Sequence, residues 1–130
     1  MIDYFSIEKY RENNRIEAKR ALGGLPKSIW ETYSAFANTL GGIILLGVEE
    51  HNDKSLHPVD LPDPQALIDE FTSLLNNKNR VSVNILTKNN IKIQSIDGKK
   101  IIVITVPRAQ RWEMPVYIEK DPLYSTYRRS

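Results

Sequence analysis

A single-domain α+β fold is the class this sequence predicts, and three observations carry it. Two stretches, Ile29 to Leu40 and Leu67 to Leu75, place apolar residues at helical spacing. Short apolar or alternating runs, bounded by glycine, proline or asparagine, read as strands. Most of these runs gather behind the second helical stretch. The expected architecture is a mixed sheet of about six strands with a β-meander, and about three helices.

Taken in order, residues 3–13 predict a short helix, with Ser6 as N-cap and Ile7 and Tyr10 three apart. Residues 15–21 switch to period two. Ile16 and Ala18 share one face, and Arg15, Glu17 and Lys19 share the other. The stretch Gly23 to Pro26 ends that strand, and Pro26 suits a helix start. Ile29, Tyr33, Phe36, Ala37 and Leu40 then form an apolar stripe, stopped by Gly41-Gly42. Ile43 to Val48 is apolar at every position, as in a strand covered on both faces, and Glu49 and Glu50 follow it. Residues 51–62 are polar and proline-containing, which predicts a loop.

Asp63-Pro64 supplies an N-cap followed by proline at the first helical position. Leu67, Ile68, Phe71, Leu74 and Leu75 make the second stripe, which ends at Asn76, Asn77 and Asn79. The meander follows. Val81, Val83 and Ile85 alternate with polar residues, Asn89-Asn90 turns the chain, and Ile91 and Ile93 alternate again. Asp97-Gly98 is a two-residue hairpin signal. Ile101 to Val106 reads as a buried strand stopped by Pro107. Residues 108–114 form a basic loop, and Val116 to Ile118 with Tyr124 to Arg128 suggest a last hairpin.

At 130 residues the chain is long enough to bury one core, and 41% hydrophobic with 26% charged residues fits a soluble globular domain. The net charge of +2 is too small to argue for nucleic acid, so local clustering of charge must do so. The absence of cysteine excludes disulfides and thiolate zinc sites. The N-terminus lacks the pattern of a signal peptide, and no apolar run approaches the ~20 residues of a membrane span. A cytoplasmic protein without membrane contact is expected. Two adjacent arginines before Ser130, directly after a strand-like run, predict that residues 1–130 are the N-terminal part of a longer protein.

Two sets of side chains carry candidate chemistry. The cations Arg108, Arg111, Arg128 and Arg129 cluster near Trp112 and Tyr127, and Lys99 and Lys100 follow the hairpin turn. Several cations on one face suit phosphates, and aromatics among them suit stacking on unpaired bases. The same residues also suit ordinary loop and edge-strand solubility. Trp112 and Met114 read most simply as edge-strand packing. The second set is acidic: Glu12, Glu17, Glu49 and Glu50, with Lys19 beside Glu17. Glu17 and Lys19 also suit a surface ion pair worth ~0–1 kcal/mol. His51 and His57 fit no standard zinc spacing and read as exposed. Asn38-Thr39 suits helix capping, and Trp30, Tyr33 and Phe36 suit the core.

The motifs I-E-A-K at 16–19, L-P at 25–26, S-A-F-A-N-T at 34–39, G-G at 41–42 and G-V-E at 47–49, with P-V-Y-I at 115–118 and Tyr127-Arg128-Arg129, resemble the Schlafen AlbA_2 domain family. The resemblance implies a DNA-binding domain of a bacterial-type transcriptional regulator, with DNA or RNA as partner. Lys19, Lys99, Lys100, Arg108, Arg111, Arg128 and Arg129 are the candidate contacts, and no cofactor is expected. An older classification of the family as divergent ATPases gains no support, because no G-x-x-x-x-G-K-[ST] loop is present. Eukaryotic relatives include metal-dependent endoribonucleases that act on structured RNA with three acids. The resemblance places those acids at Glu12, Glu17 and Glu50, which would hold Mg²⁺ or Mn²⁺ in that alternative. Family nucleases carry Asp at the third position and an aromatic at the position of Ala18. A third reading is an oligomerisation module that pairs exposed edge strands.

Overall fold

The computed structural model describes residues 15–78 and 80–118. The helix expected at 3–13 and the strand at 124–128 lie outside the described residues. Within them the fold is α+β. Strand β1 (Ile16–Lys19) leads through helix α1 (Ile29–Ala37) to β2 (Gly42–Leu46), which lies parallel to β1. Strands β5 (Ile91–Ile96) and β6 (Lys99–Val106) form an antiparallel hairpin around Asp97-Gly98. β6 also pairs antiparallel with β2, which gives the sheet order β1-β2-β6-β5. Strands β3 (Val48–Glu50) and β4 (Leu56–Pro58) make a separate two-stranded sheet. Helix α2 (Pro64–Leu75) begins where Asp63 accepts a hydrogen bond from the Ala66 N–H at 3.1 Å. No described helix is long and apolar enough to cross a membrane.

The sheet has apolar packing on both faces, as the sequence of β2 requires. Ile44 and Leu46 join the larger core with Trp30, Tyr33, Phe36, Phe71 and Leu75. Ile43 and Leu45 join a second cluster with Val48, Ile101 and Val103, against which Ile16 and Ala18 pack. In the parallel register Glu17 stands beside Ile44 and Lys19 beside Leu46. Both charged residues therefore share the helix-covered face, and the period-two reading of β1 holds. The aromatic residues of α1 are core: Trp30 stacks on Phe71 with centroids 5.2 Å apart.

Four expectations need correction. The run Ile43 to Val48 is not one strand. Gly47 adopts φ +83°, and a Cβ there would stand 2.6 Å from Leu61 Cγ, so the chain bends away into β3. The stretch 51–62 is not all loop, because β4 lies within it and pairs with β3. Val81 to Ile85 is not a strand. Among the described residues its one bridge joins Val81 to Ile118, and side chains serve much of the remaining backbone. The Tyr33 hydroxyl donates to Val83 O at 2.7 Å and accepts from the Ile85 N–H at 3.1 Å. The meander thus reduces to the β5–β6 hairpin. Leu40 leaves the apolar stripe and is 67% exposed, because α1 ends at Ala37 and helical phase no longer directs it.

Two stability predictions follow from this packing. A Cβ at position 42 would meet the Phe36 ring at 2.7 Å and the backbone oxygen of Arg15 at 2.8 Å. Gly42→Ala should therefore lower unfolding free energy by about 2–3 kcal/mol in urea titrations, and a neutral result would contradict the close approach. Burial pushes the Tyr33 hydroxyl from its ordinary 10.0 up to about 12, against the lowering effect of the Ile85 N–H. The fold favours the neutral phenol, so this contribution is full below pH 10 and is lost as pH rises to 12. The loss should run at about 1.4 kcal/mol per pH unit in that window. Tyr33→Phe should lack that alkaline slope and cost about 1–3 kcal/mol at neutral pH. Urea unfolding at a series of pH values checks both.

Candidate functional site

The C-terminal turn of α1 holds the segment that returns after β6. The Asn38 amide donates to Val116 O at 2.8 Å, and its carbonyl accepts from the Val116 N–H at 2.7 Å. Ser34 Oγ donates to the same Val116 oxygen at 2.7 Å. Seven residues earlier, the Ala109 N–H donates to Ala37 O at 2.8 Å. Asn38, Ser34 and Val116 are all buried. An asparagine side chain thereby imitates a strand partner and satisfies both polar groups of a buried backbone unit. Asn38 is the C-cap by position, but its side chain pins the chain segment Ala109–Val116. The Asn38 backbone N–H still caps Ser34 O at 3.0 Å, and Thr39 adds a side-chain cap, with Oγ1 donating to Ala35 O at 2.8 Å.

Between the pins the loop is ordered by its own bonds. Arg111–Glu113 forms a 3₁₀ turn, in which Glu113 accepts from the Gln110 N–H at 2.7 Å and donates its own N–H to Gln110 O at 2.9 Å. Met114 packs against the larger core. Trp112 does not: it is 82% exposed, and the packing role expected from sequence is corrected here. Arg108 and Arg111, on the same loop, are exposed as well. Neither forms an ion pair with an acid among the described residues.

The candidate cations occupy two ends of the sheet. Arg108 and Arg111 follow the C-terminal end of β6, while Lys99 and Lys100 begin that eight-residue strand. A strand of that length spans roughly 23 Å. Register places Lys19 at the lysine end, through Leu46 and Ile102, and Arg15 at the arginine end, beside Gly42 and Val106. The lysine end is mixed in charge. Asp60 accepts from the Lys100 N–H at 2.8 Å, Asp97 forms the adjoining turn, and β3 carries Glu49 and Glu50. In the arginine-end loop the one acid is Glu113, which is folded back on Gln110. Arg128 and Arg129 lie outside the described residues.

Of the acids, Glu12 lies outside the described residues. Glu17 sits inside β1, and Glu50 is exposed at the end of β3. Among the described residues no three acids or histidines form a group that could hold a metal, so these residues alone do not make the site that the resemblance implies. Lys19 donates to Ser28 Oγ at 2.9 Å, next to the start of α1. His51 and His57 are exposed, as expected, and their rings stack with centroids 3.7 Å apart. His51 Nε2 lies 3.9 Å from Glu49, and Ser55 Oγ bridges Asp53 and His57 Nε2. The Asp53 carboxyl is held below the usual carboxylate range, chiefly by the Ser55 hydroxyl.

Sequence reasoning missed the pin made by Asn38 and the exposure of Trp112. The second had a signal: Trp112 stands between Arg111 and Glu113, past the proline that ends β6, where no apolar alternation would bury it.

Comparison with known proteins adds the following. The family model described as Schlafen, AlbA_2 matches residues 12–130. The solution structure of the N-terminal domain of a RecG-related protein from Nitrosomonas europaea is similar at 31% identity and a TM-score of 0.70. That match covers 95% of this chain and 86% of the neighbour. A Corynebacterium diphtheriae protein, DIP2311, is similar at 16% identity and a TM-score of 0.49, over 85% of this chain and 20% of its own. No match was found among curated proteins.

The Asn38 pin yields a test of the loop's origin. Asn38→Ala should cost about 2–3 kcal/mol, because it strands the buried Val116 N–H, whereas Ser34→Ala should cost about 1 kcal/mol, since Asn38 still serves the oxygen. Amide exchange should show Val116 losing protection in the Asn38 variant and keeping it in the Ser34 variant. Equal protection in both would mean that the pin does not hold the loop.

Proposed function

The chain belongs to the Schlafen AlbA_2 family, and from that premise we propose that it is a nucleic-acid-binding domain of a bacterial-type transcriptional regulator, with the arginine end of the sheet as its contact surface. The observation that supports this most is the sorting of charge between the two ends. Cations at the lysine end share it with Asp60, which takes the Lys100 N–H, and with Asp97, Glu49 and Glu50, all of which offset their field. Arg108 and Arg111 stand on an exposed, pinned loop whose one acid is engaged with the Gln110 N–H. A polyanion is drawn to the second arrangement more than to the first. The Nitrosomonas europaea neighbour is named as a DNA-helicase-related protein, which agrees in kind with this reading.

Arginine suits this task because its planar fork can take two phosphate oxygens, and because it keeps its charge at any physiological pH. The pinned loop lowers the ordering cost on binding, since its backbone conformation is already fixed. Affinity supplied by two such contacts is modest and is carried by counterion release. A wider surface on the same end would add to it.

Binding measured by fluorescence anisotropy with labelled DNA and RNA oligonucleotides should weaken as salt rises. Two phosphate contacts correspond to a slope of about −1.4 for a single strand in log affinity against log salt. Replacing Arg108 and Arg111 together by alanine should remove about that much slope. Replacing Lys99 and Lys100 together should change affinity by less than about threefold. A flat salt response, or a larger effect from the lysine pair, would overturn the assignment of this surface.

A further inference from the structure

We propose that Trp112 is a stacking platform for an unpaired base, so that the arginine end selects single-stranded over duplex nucleic acid. The inference rests on the nucleic-acid reading above and adds the class of strand that it takes.

Three observations carry it. Among the large apolar side chains described, Trp112 is the most exposed, at 82%. Large aromatic rings are ordinarily buried for most of their surface, so an indole standing in water calls for a use outside the core. Second, its backbone is stiff. The loop is tied to α1 at Ala109 and Val116, and the Gln110–Glu113 bonds close the turn that carries the ring. A platform fixed in this way binds without first being ordered. Third, Arg111 precedes the ring directly and Arg108 lies four residues before it, both exposed. Cations beside an aromatic face supply the combination that single strands use: the ring takes a base, and the guanidiniums take the flanking phosphates.

The selection follows from access. In a duplex each base face is already covered by its neighbours, and an indole could reach one only by unstacking the pair. A single strand offers its base faces without that cost. Leu40, 67% exposed at the same end, adds apolar surface next to the strand–loop junction. The two arginines favour a polyanion over a neutral apolar protein surface as the occupant, because burying them against the latter would leave two charges without partners.

The two tryptophans of the chain give a direct readout, because Trp30 is buried against Phe71 and Trp112 faces solvent. A thymidine oligonucleotide should quench the solvent-exposed component of the emission and shift it to the blue, while the matching duplex should not. Trp112→Phe should lose the signal and keep affinity within about threefold. Trp112→Ala should weaken single-strand binding about tenfold and leave duplex binding unchanged. Far-UV circular dichroism should be alike for all three proteins. Salt-dependent binding with no quenching, and with equal affinity for both strand forms, would overturn the stacking role and leave the phosphate reading standing. Binding to neither form at any salt would overturn both. Self-association of the wild type that Trp112→Ala abolishes, without any effect on oligonucleotide binding, would assign the ring to a protein interface instead and likewise overturn the proposal.

Discussion

The structure of the arginine end depends on one side chain standing in for a β-strand. Asn38 offers an amide and a carbonyl at the spacing of a backbone unit, and Val116 pairs with both. Residues 109–116 come back across the end of α1 with no described strand paired to them there, and a buried backbone cannot be left without partners. Ala37, Asn38 and Ser34 supply those partners from a single helical turn. Because they lie on a helix packed into the core, the loop inherits the rigidity of that core. The same solution recurs at the other side of α1, where the Tyr33 hydroxyl serves Val83 and Ile85. One helix therefore organises two segments that have no ladder among the described strands.

How much of this was legible in the sequence depends on the range of the interaction concerned. Both described helices were readable because their apolar stripes are local, and the Asp63-Pro64 start of α2 needs only the four residues around it, whereas the end of α1 fell three residues short of the expected stripe. The two-sided burial of β2 was readable because every one of its side chains is apolar. The bend at Gly47 was not, since it depends on Leu61 lying against that position. The failed strand at Val81 to Ile85 has good alternation but, among the described residues, no strand neighbour along most of its length, and alternation alone does not provide one. Asn38 looked like a cap because asparagine suits helix ends; only the fold reveals that Val116 is within reach. Arg108 and Arg111 were gathered by their closeness to Trp112 in sequence, whereas Ser34 and Asn38, inside the motif S-A-F-A-N-T, have partners about eighty positions away that no local pattern reaches.

Topology rather than composition separates the charges. A chain of net charge +2 has no global field to speak of, so placement decides which surface draws an anion. β1 and β2 run parallel and β6 runs against them, so the residues that follow β2 and those that precede β6 fall at one end. That rule gathers Glu49, Glu50, Lys99 and Lys100 together. It sends Arg108 and Arg111, which follow β6, to the other end beside Arg15. Nothing in the order of these residues along the chain announces the grouping. Lys99 and Arg108 are close in sequence but are separated by the whole length of a strand.

The orientation of α1 sets a further condition on that surface. Its C-terminus lies at the arginine end, and a helix C-terminus carries partial negative charge, which by itself would repel a phosphate and attract the guanidiniums inward. The last-turn carbonyls are already occupied. Ser34 O accepts from the Asn38 N–H, Ala35 O from the Thr39 hydroxyl, Phe36 O from the Gly41 N–H and Ala37 O from the Ala109 N–H. Donors from the turn and from the loop thus answer the groups that give the helix end its charge, and the arginine side chains need not turn back to cap it. The bond that ties Ala109 to Ala37 therefore acts twice. It fixes where the loop leaves the sheet, and it removes a competitor for the cations that the loop presents.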